Sequence, residues 1–124
     1  MTKQNKDQNP HLSIIIPVYN SADIFPELYV RLKKILIDEY SNHEIITIVD
    51  GNEDNCSDII ASYCNNDRKL KMILFSKNFG HQSAITAGLN HSKGYLIVTM
   101  DDDLEDPPEE IPKRTPSSLA SFLE

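Results

Sequence analysis

The sequence predicts an α/β fold, a Rossmann-like and mostly parallel sheet with helices on both faces, and three observations carry that prediction. Four short runs are apolar throughout rather than alternating, as strands covered on both faces must be. Segments with apolar residues at helical spacing separate them. The resulting order, βαβαβαβ, gives parallel strands joined by helical crossovers.

The first strand is Leu12 to Val18 (LSIIIPV), closed by the turn formers Asn20 and Ser21. A helix follows, with Phe25, Leu28, Tyr29, Leu32, Ile35 and Leu36 on one face. Asp23 or Ser21 is its candidate N-cap, and Pro26 is tolerated because it lies in the first turn. Glu44 to Val49 (EIITIV) is the second strand. Cys56, Ile59, Ile60, Tyr63 and Cys64 then trace one face of a second helix, which makes both cysteines packing residues rather than reactive thiols. Leu70 to Phe75 is the third strand, His81 to His91 the third helix with small residues Ala84, Ala87 and Gly88, and Tyr95 to Met100 the fourth strand. Residues 1–11 read as a loose polar arm, and residues 114–124 as a tail of different character.

Composition narrows the classes. With 124 residues, 40% apolar and 25% charged, the chain has room for one globular domain. No run approaches the roughly 18 apolar residues of a membrane span, and the start MTKQNKDQNP lacks a signal-type apolar core. Two cysteines make no disulfide framework, so a reducing cytoplasm is expected. The net charge of −7 has a local origin: seven acids lie between Asp101 and Glu110, and the other twelve balance the twelve Lys and Arg. There is no basic stripe for nucleic acid. The acidic run is either a solvated tail or a cation site.

Ligands of open parallel sheets bind at the carboxyl ends of the strands, near the reversal of strand order. In this chain those ends carry Tyr19 and Asn20, then Asp50, Gly51 and Asn52, then Ser76, Lys77 and Asn78, then Asp101, Asp102 and Asp103. Turns favour such residues anyway, but all four ends deliver them to one rim. Asp101 and Asp103 can face one point if the chain stays extended, and like charges so close call for a cation such as Mg²⁺ or Mn²⁺. Neither acidic stretch fits an EF-hand, and GxxxxGK[ST] and GxGxxG are both absent. With Lys77 as a phosphate partner, the rim suits a nucleoside diphosphate.

Three segments resemble glycosyltransferase family 2: IIIPVYNSADIFPEL at Ile14 to Leu28, FSKNFGHQSAITAGL at Phe75 to Leu89, and MDDDLEDPPEEIP at Met100 to Pro112. Within it, the likeness is to polyprenyl-phosphate glycosyltransferases of the dolichyl-phosphate-mannose synthase type, and it runs without a gap from Leu12 to Lys113. The resemblance implies the N-terminal, nucleotide-binding half of a GT-A domain over residues 12–113. It implies a UDP- or GDP-sugar donor, a Mg²⁺ or Mn²⁺ ion, a lipid-phosphate acceptor and work at the cytoplasmic face of the membrane. Pro17, Tyr19 and Asn20 would line the base and ribose pocket, and Asp50 would contact the nucleotide. Lys77 stands where the family usually has Arg, exchanging a bidentate fork for a point charge. Asp101 and Asp102 would complete the donor site, and Asp101 and Asp103, the outer positions of a DxD, would hold ribose and metal.

Two departures bear on this expectation. After the second strand the family pattern Val-Asp-Asp-Gly-Ser is replaced by Ile48, Val49, Asp50, Gly51 and Asn52. The chain also ends soon after the DxD, which suggests a truncated or frameshifted reading frame lacking the acceptor-binding half. The alternative function is therefore an inactive nucleotide-binding remnant. An aspartate-nucleophile phosphotransferase is disfavoured, because Glu105 stands where that class has Thr or Val. No Ser-His or Cys-His pair is evident, so no catalytic residue is assigned. His81 either donates toward the donor or merely opens its helix.

Overall fold

The structure, a computed structural model, describes residues 9–51, 54–104 and 107–110. The tail at 114–124, the departure at Asn52, Glu105 and most of the polar arm lie outside the described residues. The elements are β1 (Leu12–Val18), α1 (Phe25–Glu39), β2 (His43–Val49), α2 (Cys56–Cys64), β3 (Leu70–Leu74), α3 (His81–His91), β4 (Leu96–Thr99) and a closing 3₁₀ turn (Pro108–Glu110). All strand pairings are parallel, in the order β3-β2-β1-β4. After stepping outward from β1 to β2 and β3, the chain crosses back to lay β4 on the other side of β1. The switch point of the sheet therefore lies between the carboxyl ends of β1 and β4.

Pleating sorts the apolar runs onto two faces. Leu12, Ile14, Ile16 and Val18 of β1 join Ile45 and Val49 of β2 under α1 and α2, which contribute Phe25, Leu28, Leu32, Leu36, Cys56 and Ile60. On the other face, Ile15, Ile46 and Ile48 meet Ala84 of α3. Every residue of β1 and β2 is buried. The outer strands are not covered on both faces as expected: β4 leaves Ile97 41% exposed, because it is an edge strand of the described sheet and α3 packs over β1 and β2 instead.

Both cysteines lie on the inner side of α2, as their spacing predicts. Burial, with Asp54 nearby, pushes the Cys56 thiol up to about 11, and burial likewise raises that of Cys64. These are packing thiols. The expected cap of α1 is not made. Ile24 holds the N-cap position without a side-chain bond, and the Ser21 carbonyl accepts from the Ile24 and Phe25 N–H groups instead. Ser21 lies three residues before that N-cap position, and its hydroxyl donates elsewhere, as described below. Of the polar arm, residues 9–11 are tied down: His11 N–H donates to Asn42 O, Leu96 N–H to His11 O, and Pro10 is buried.

Gly88 sets how close α3 can come to the sheet. A Cβ there would lie 2.5 Å from Ile15 Cγ2 and 3.0 Å from Ile48 Cδ1. Ile15 is fully buried and stiff at χ1, so its methyl cannot yield. Gly88→Ala is expected to destabilise the protein by roughly 1–2 kcal/mol in chemical denaturation, overpacking outweighing the better helix propensity of alanine. An unchanged or raised midpoint would contradict this packing.

Polar groups at the amino ends of the strands form a second set of ties. The Lys33 ammonium donates to His43 Nε2 at 2.8 Å and pairs with Asp67 at 3.0 Å, while Tyr29 Oη donates to Asp67 at 2.7 Å. With Nδ1–H directed at Tyr40 O, 2.7 Å away, His43 is a neutral imidazole. Burial, reinforced by Lys33, lowers its pKa from the ordinary 6.5, whereas Asp67 is held below its ordinary value despite burial by bonds from Tyr29, Lys33 and the Lys69 N–H. The unfolded chain thus takes up a proton on His43 that the folded one refuses. Stability is expected to fall as pH drops through about 6.5, then again below about 4 as Asp67 loses its bonds. His43→Gln should remove the first of these losses, and a wild-type denaturation midpoint flat from pH 7.5 to 5.5 would contradict it.

Candidate functional site

The four carboxyl ends converge as the sequence predicts. A cleft of about 310 Å³ opens at the β1–β4 switch point, lined by Pro17, Val18, Tyr19, Asp50, Asn78, Gly80, His81, Asp101 and Asp102. Five of the expected site residues, Pro17, Tyr19, Asp50, Asp101 and Asp102, are in that lining. Asn20, Lys77 and Asp103 sit on the same rim outside it. Asn20 turns the chain with φ 53°, a conformation asparagine tolerates, and Lys77 Nζ lies 5.4 Å from the centre of the Phe79 ring.

Asp50, 5% exposed, braces the far wall of the cleft. Its Oδ1 accepts the Phe79 N–H at 2.7 Å and its Oδ2 the Gly80 N–H at 2.9 Å. Gly80 has φ +105°, which a side chain would strain, and it lets the chain turn from β3 into α3 and present His81 to the cleft. Asn78 Oδ1 accepts from the same Gly80 N–H at 3.0 Å.

The near wall is fastened across the sheet. Asp102 Oδ2 accepts the Tyr19 N–H at 3.0 Å and the Ser21 hydroxyl. Asp54 holds the next residue, accepting the Ala22 N–H at 3.0 Å and the Cys56 N–H at 3.2 Å. Asp101 and Asp103 are exposed on either side of Asp102, and Leu104 follows in a left-handed conformation, φ 65°, that is costly for a branched residue. Among the described residues no group of three or more His, Cys, Asp and Glu could hold a metal ion. Further along, Glu109 forms a fork with Arg31 of α1, Nε to Oε2 at 2.9 Å and Nη2 to Oε1 at 2.6 Å, so part of the acidic run is anchored to a helix.

Sequence reasoning placed Asn78 on the rim without giving it a role, and did not assign Val18 and Gly80 to the site, nor Ser21 and Asp54 as its supports. Asn78 and Gly80 carried a signal in the NFGH segment. Ser21 and Asp54 act through partners that only the folded sheet brings near.

The family model for glycosyl transferase family 2 matches residues 13–115. The chain belongs to that family. An uncharacterized glycosyltransferase of Bacillus subtilis strain 168, YkcC, is 43% identical over 97 residues, covering 78% of this chain and 30% of that protein. The undecaprenyl-phosphate 4-deoxy-4-formamido-L-arabinose transferase of Yersinia pestis strain Pestoides F is 42% identical over 106 residues, covering 82% of this chain and 32% of its own length. The chain thus spans about a third of the curated relatives it matches.

Among solved structures, the mannosyltransferase PcManGT from Pyrobaculum calidifontis, in complex with GDP-Man and Mn²⁺, superposes with TM-score 0.62 at 21% identity, covering 77% of this chain and 28% of that one. S. aureus TarS 1-349 in complex with UDP gives TM-score 0.65 at 25% identity, over 74% and 27%. The fold is the GT-A arrangement of these transferases, a parallel α/β sheet.

Proposed function

We propose that the cleft binds the nucleoside diphosphate of a sugar donor, UDP or GDP, and serves transfer of the sugar to a polyprenyl phosphate. The observation that carries this reading is the placement of Pro17 to Tyr19 and Asp101 to Asp102 on opposite sides of the switch point of a family 2 sheet. The UDP complex of TarS supports the nucleotide. The undecaprenyl-phosphate transferase of Y. pestis supports the acceptor class.

Asp101 and Asp103 fit a Mg²⁺ or Mn²⁺ ion in part: they are hard oxygen donors on an exposed rim, and a two-carboxylate set leaves the remaining positions to phosphate oxygens and water. When bound, the cation neutralises charge on the departing diphosphate. The polypeptide does the rest by position. Pro17 and Tyr19 form a wall for base and ribose, Asp50 sets the Asn78 to His81 turn opposite, and Lys77 offers a cation at the edge. A phosphate acceptor is already anionic and so needs no general base. Such an acceptor would bring the reaction to a membrane surface, on its cytoplasmic side. Among the described residues no helix is long and apolar enough to cross a membrane.

Thermal unfolding with UDP or GDP, with and without Mn²⁺, tests the proposal. Ligand at a hundred times its dissociation constant should add about 2.7 kcal/mol. No shift with either nucleotide would sink it.

A further inference from the structure

We infer that Ser21 and Asp102 form a latch that positions the Tyr19 to Ser21 wall for the nucleotide, so that the middle acid of the Asp101 to Asp103 triplet serves the polypeptide while its neighbours serve the ligand. This rests on the donor-site reading above.

Three neighbouring carboxylates face one rim, yet their surroundings differ. One oxygen of Asp102 gathers two donors from the β1–α1 loop, the Tyr19 N–H at 3.0 Å and the Ser21 hydroxyl. Both belong to a segment more than eighty residues earlier in the chain. Asp101 and Asp103, by contrast, are exposed. Ser21 is 5% exposed although it precedes a helix it does not cap with its side chain. Its one hydroxyl proton has two acceptors in reach, the Tyr19 carbonyl at 3.0 Å and the Asp102 carboxylate. A charge-assisted bond to a carboxylate is the stronger use of that hydroxyl.

The latch has a geometric effect. Asn20, between the two donors, is held in a left-handed turn, and Asp54 grips Ala22 from the β2–α2 side. The wall is thus fixed from both flanks, and the carboxylates of Asp101 and Asp103 stand at a set distance from Tyr19. A nucleotide bridging wall and triplet then meets a preorganised site and loses less freedom on binding. Without the latch, the wall and the triplet would be independent.

The test uses Ser21→Ala and Ser21→Thr in the full chain, with two readouts. Hydrogen exchange of the Tyr19 amide reports the latch directly. It should be protected in wild type, exchange at least about tenfold faster in Ser21→Ala, and recover in Ser21→Thr, which keeps the hydroxyl. Calorimetric titration of UDP and GDP reports its purpose. Affinity should fall about tenfold in Ser21→Ala with and without Mn²⁺ alike, as expected for loss of one bond to a charged group, with thermal unfolding confirming a folded variant. Affinity unchanged, or lowered only when Mn²⁺ is present, would overturn the latch, as would a Tyr19 amide indifferent to the substitution. Wild type binding no nucleotide would overturn the donor-site reading, and the positioning role with it.

Discussion

Glu44→Ala should lower the unfolding free energy by about 3 kcal/mol, the largest loss expected of any single change described here. Glu44 is the second residue of β2, its side chain only 2% exposed, and three donors satisfy it: Lys71 Nζ at 2.6 Å, Ser13 Oγ at 2.6 Å and the Lys93 N–H at 2.6 Å. Burial alone would raise its pKa, but these bonds outweigh burial and hold it below its ordinary value. Ser13 in turn accepts the Gly94 N–H at 2.9 Å, so the network ties β2, β3, the β1 start and the turn into β4. Alanine would strand the fully buried Ser13 hydroxyl, whereas Lys71, nearly half exposed, and Lys93, exposed, can turn to water. Equilibrium urea unfolding checks this. A loss below about 1 kcal/mol would mean that the network is replaceable by solvent.

The second large effect concerns ligand rather than fold. Asp101→Asn combined with Asp103→Asn is expected to abolish the dependence of nucleotide affinity on Mn²⁺, a loss of at least about tenfold, or roughly 1.4 kcal/mol. Both positions are exposed, so stability without ligand should move by no more than about 1 kcal/mol. Titration of UDP and GDP into variant and wild type at fixed Mn²⁺ separates the outcomes. A double variant that retains Mn²⁺-dependent affinity would place the cation elsewhere.

Much of this molecule is legible in its sequence because its central strands are buried on both faces. An uninterrupted run such as LSIIIPV has few other places to go, and the helices between the strands carry their apolar stripes openly. The rim followed from the strands, since a parallel sheet brings all its carboxyl ends together. What resisted reading depends on strand order. Nothing local in YLIVTM tells that β4 lies beside β1 at an edge of the described sheet, so the exposure of Ile97 and the bond from Tyr19 to Asp102 were both invisible. The cap of α1 failed for a local reason: the helix starts at Phe25 with Ile24 at its N-cap, past both Ser21 and Asp23, and the bond from Ser21 to an acid eighty residues later was invisible too. Asp50 shows a subtler limit. The sequence suggests a nucleotide contact for it; the residue lines the cleft, and the fold engages both its oxygens with the backbone of the opposite wall, a task that no motif announces.

The most direct measurement of the central claim is an amide NMR titration of the uniformly labelled chain with UDP and GDP in the presence of Mg²⁺. If the switch-point cleft is the donor site, shifts should concentrate at Val18 to Ser21, Asp50, Asn78 to His81 and Asp101 to Asp103, and spare Glu44, Lys71 and Lys93 at the other end of the sheet. Shifts clustered at that other end, or none at saturating nucleotide, would contradict it.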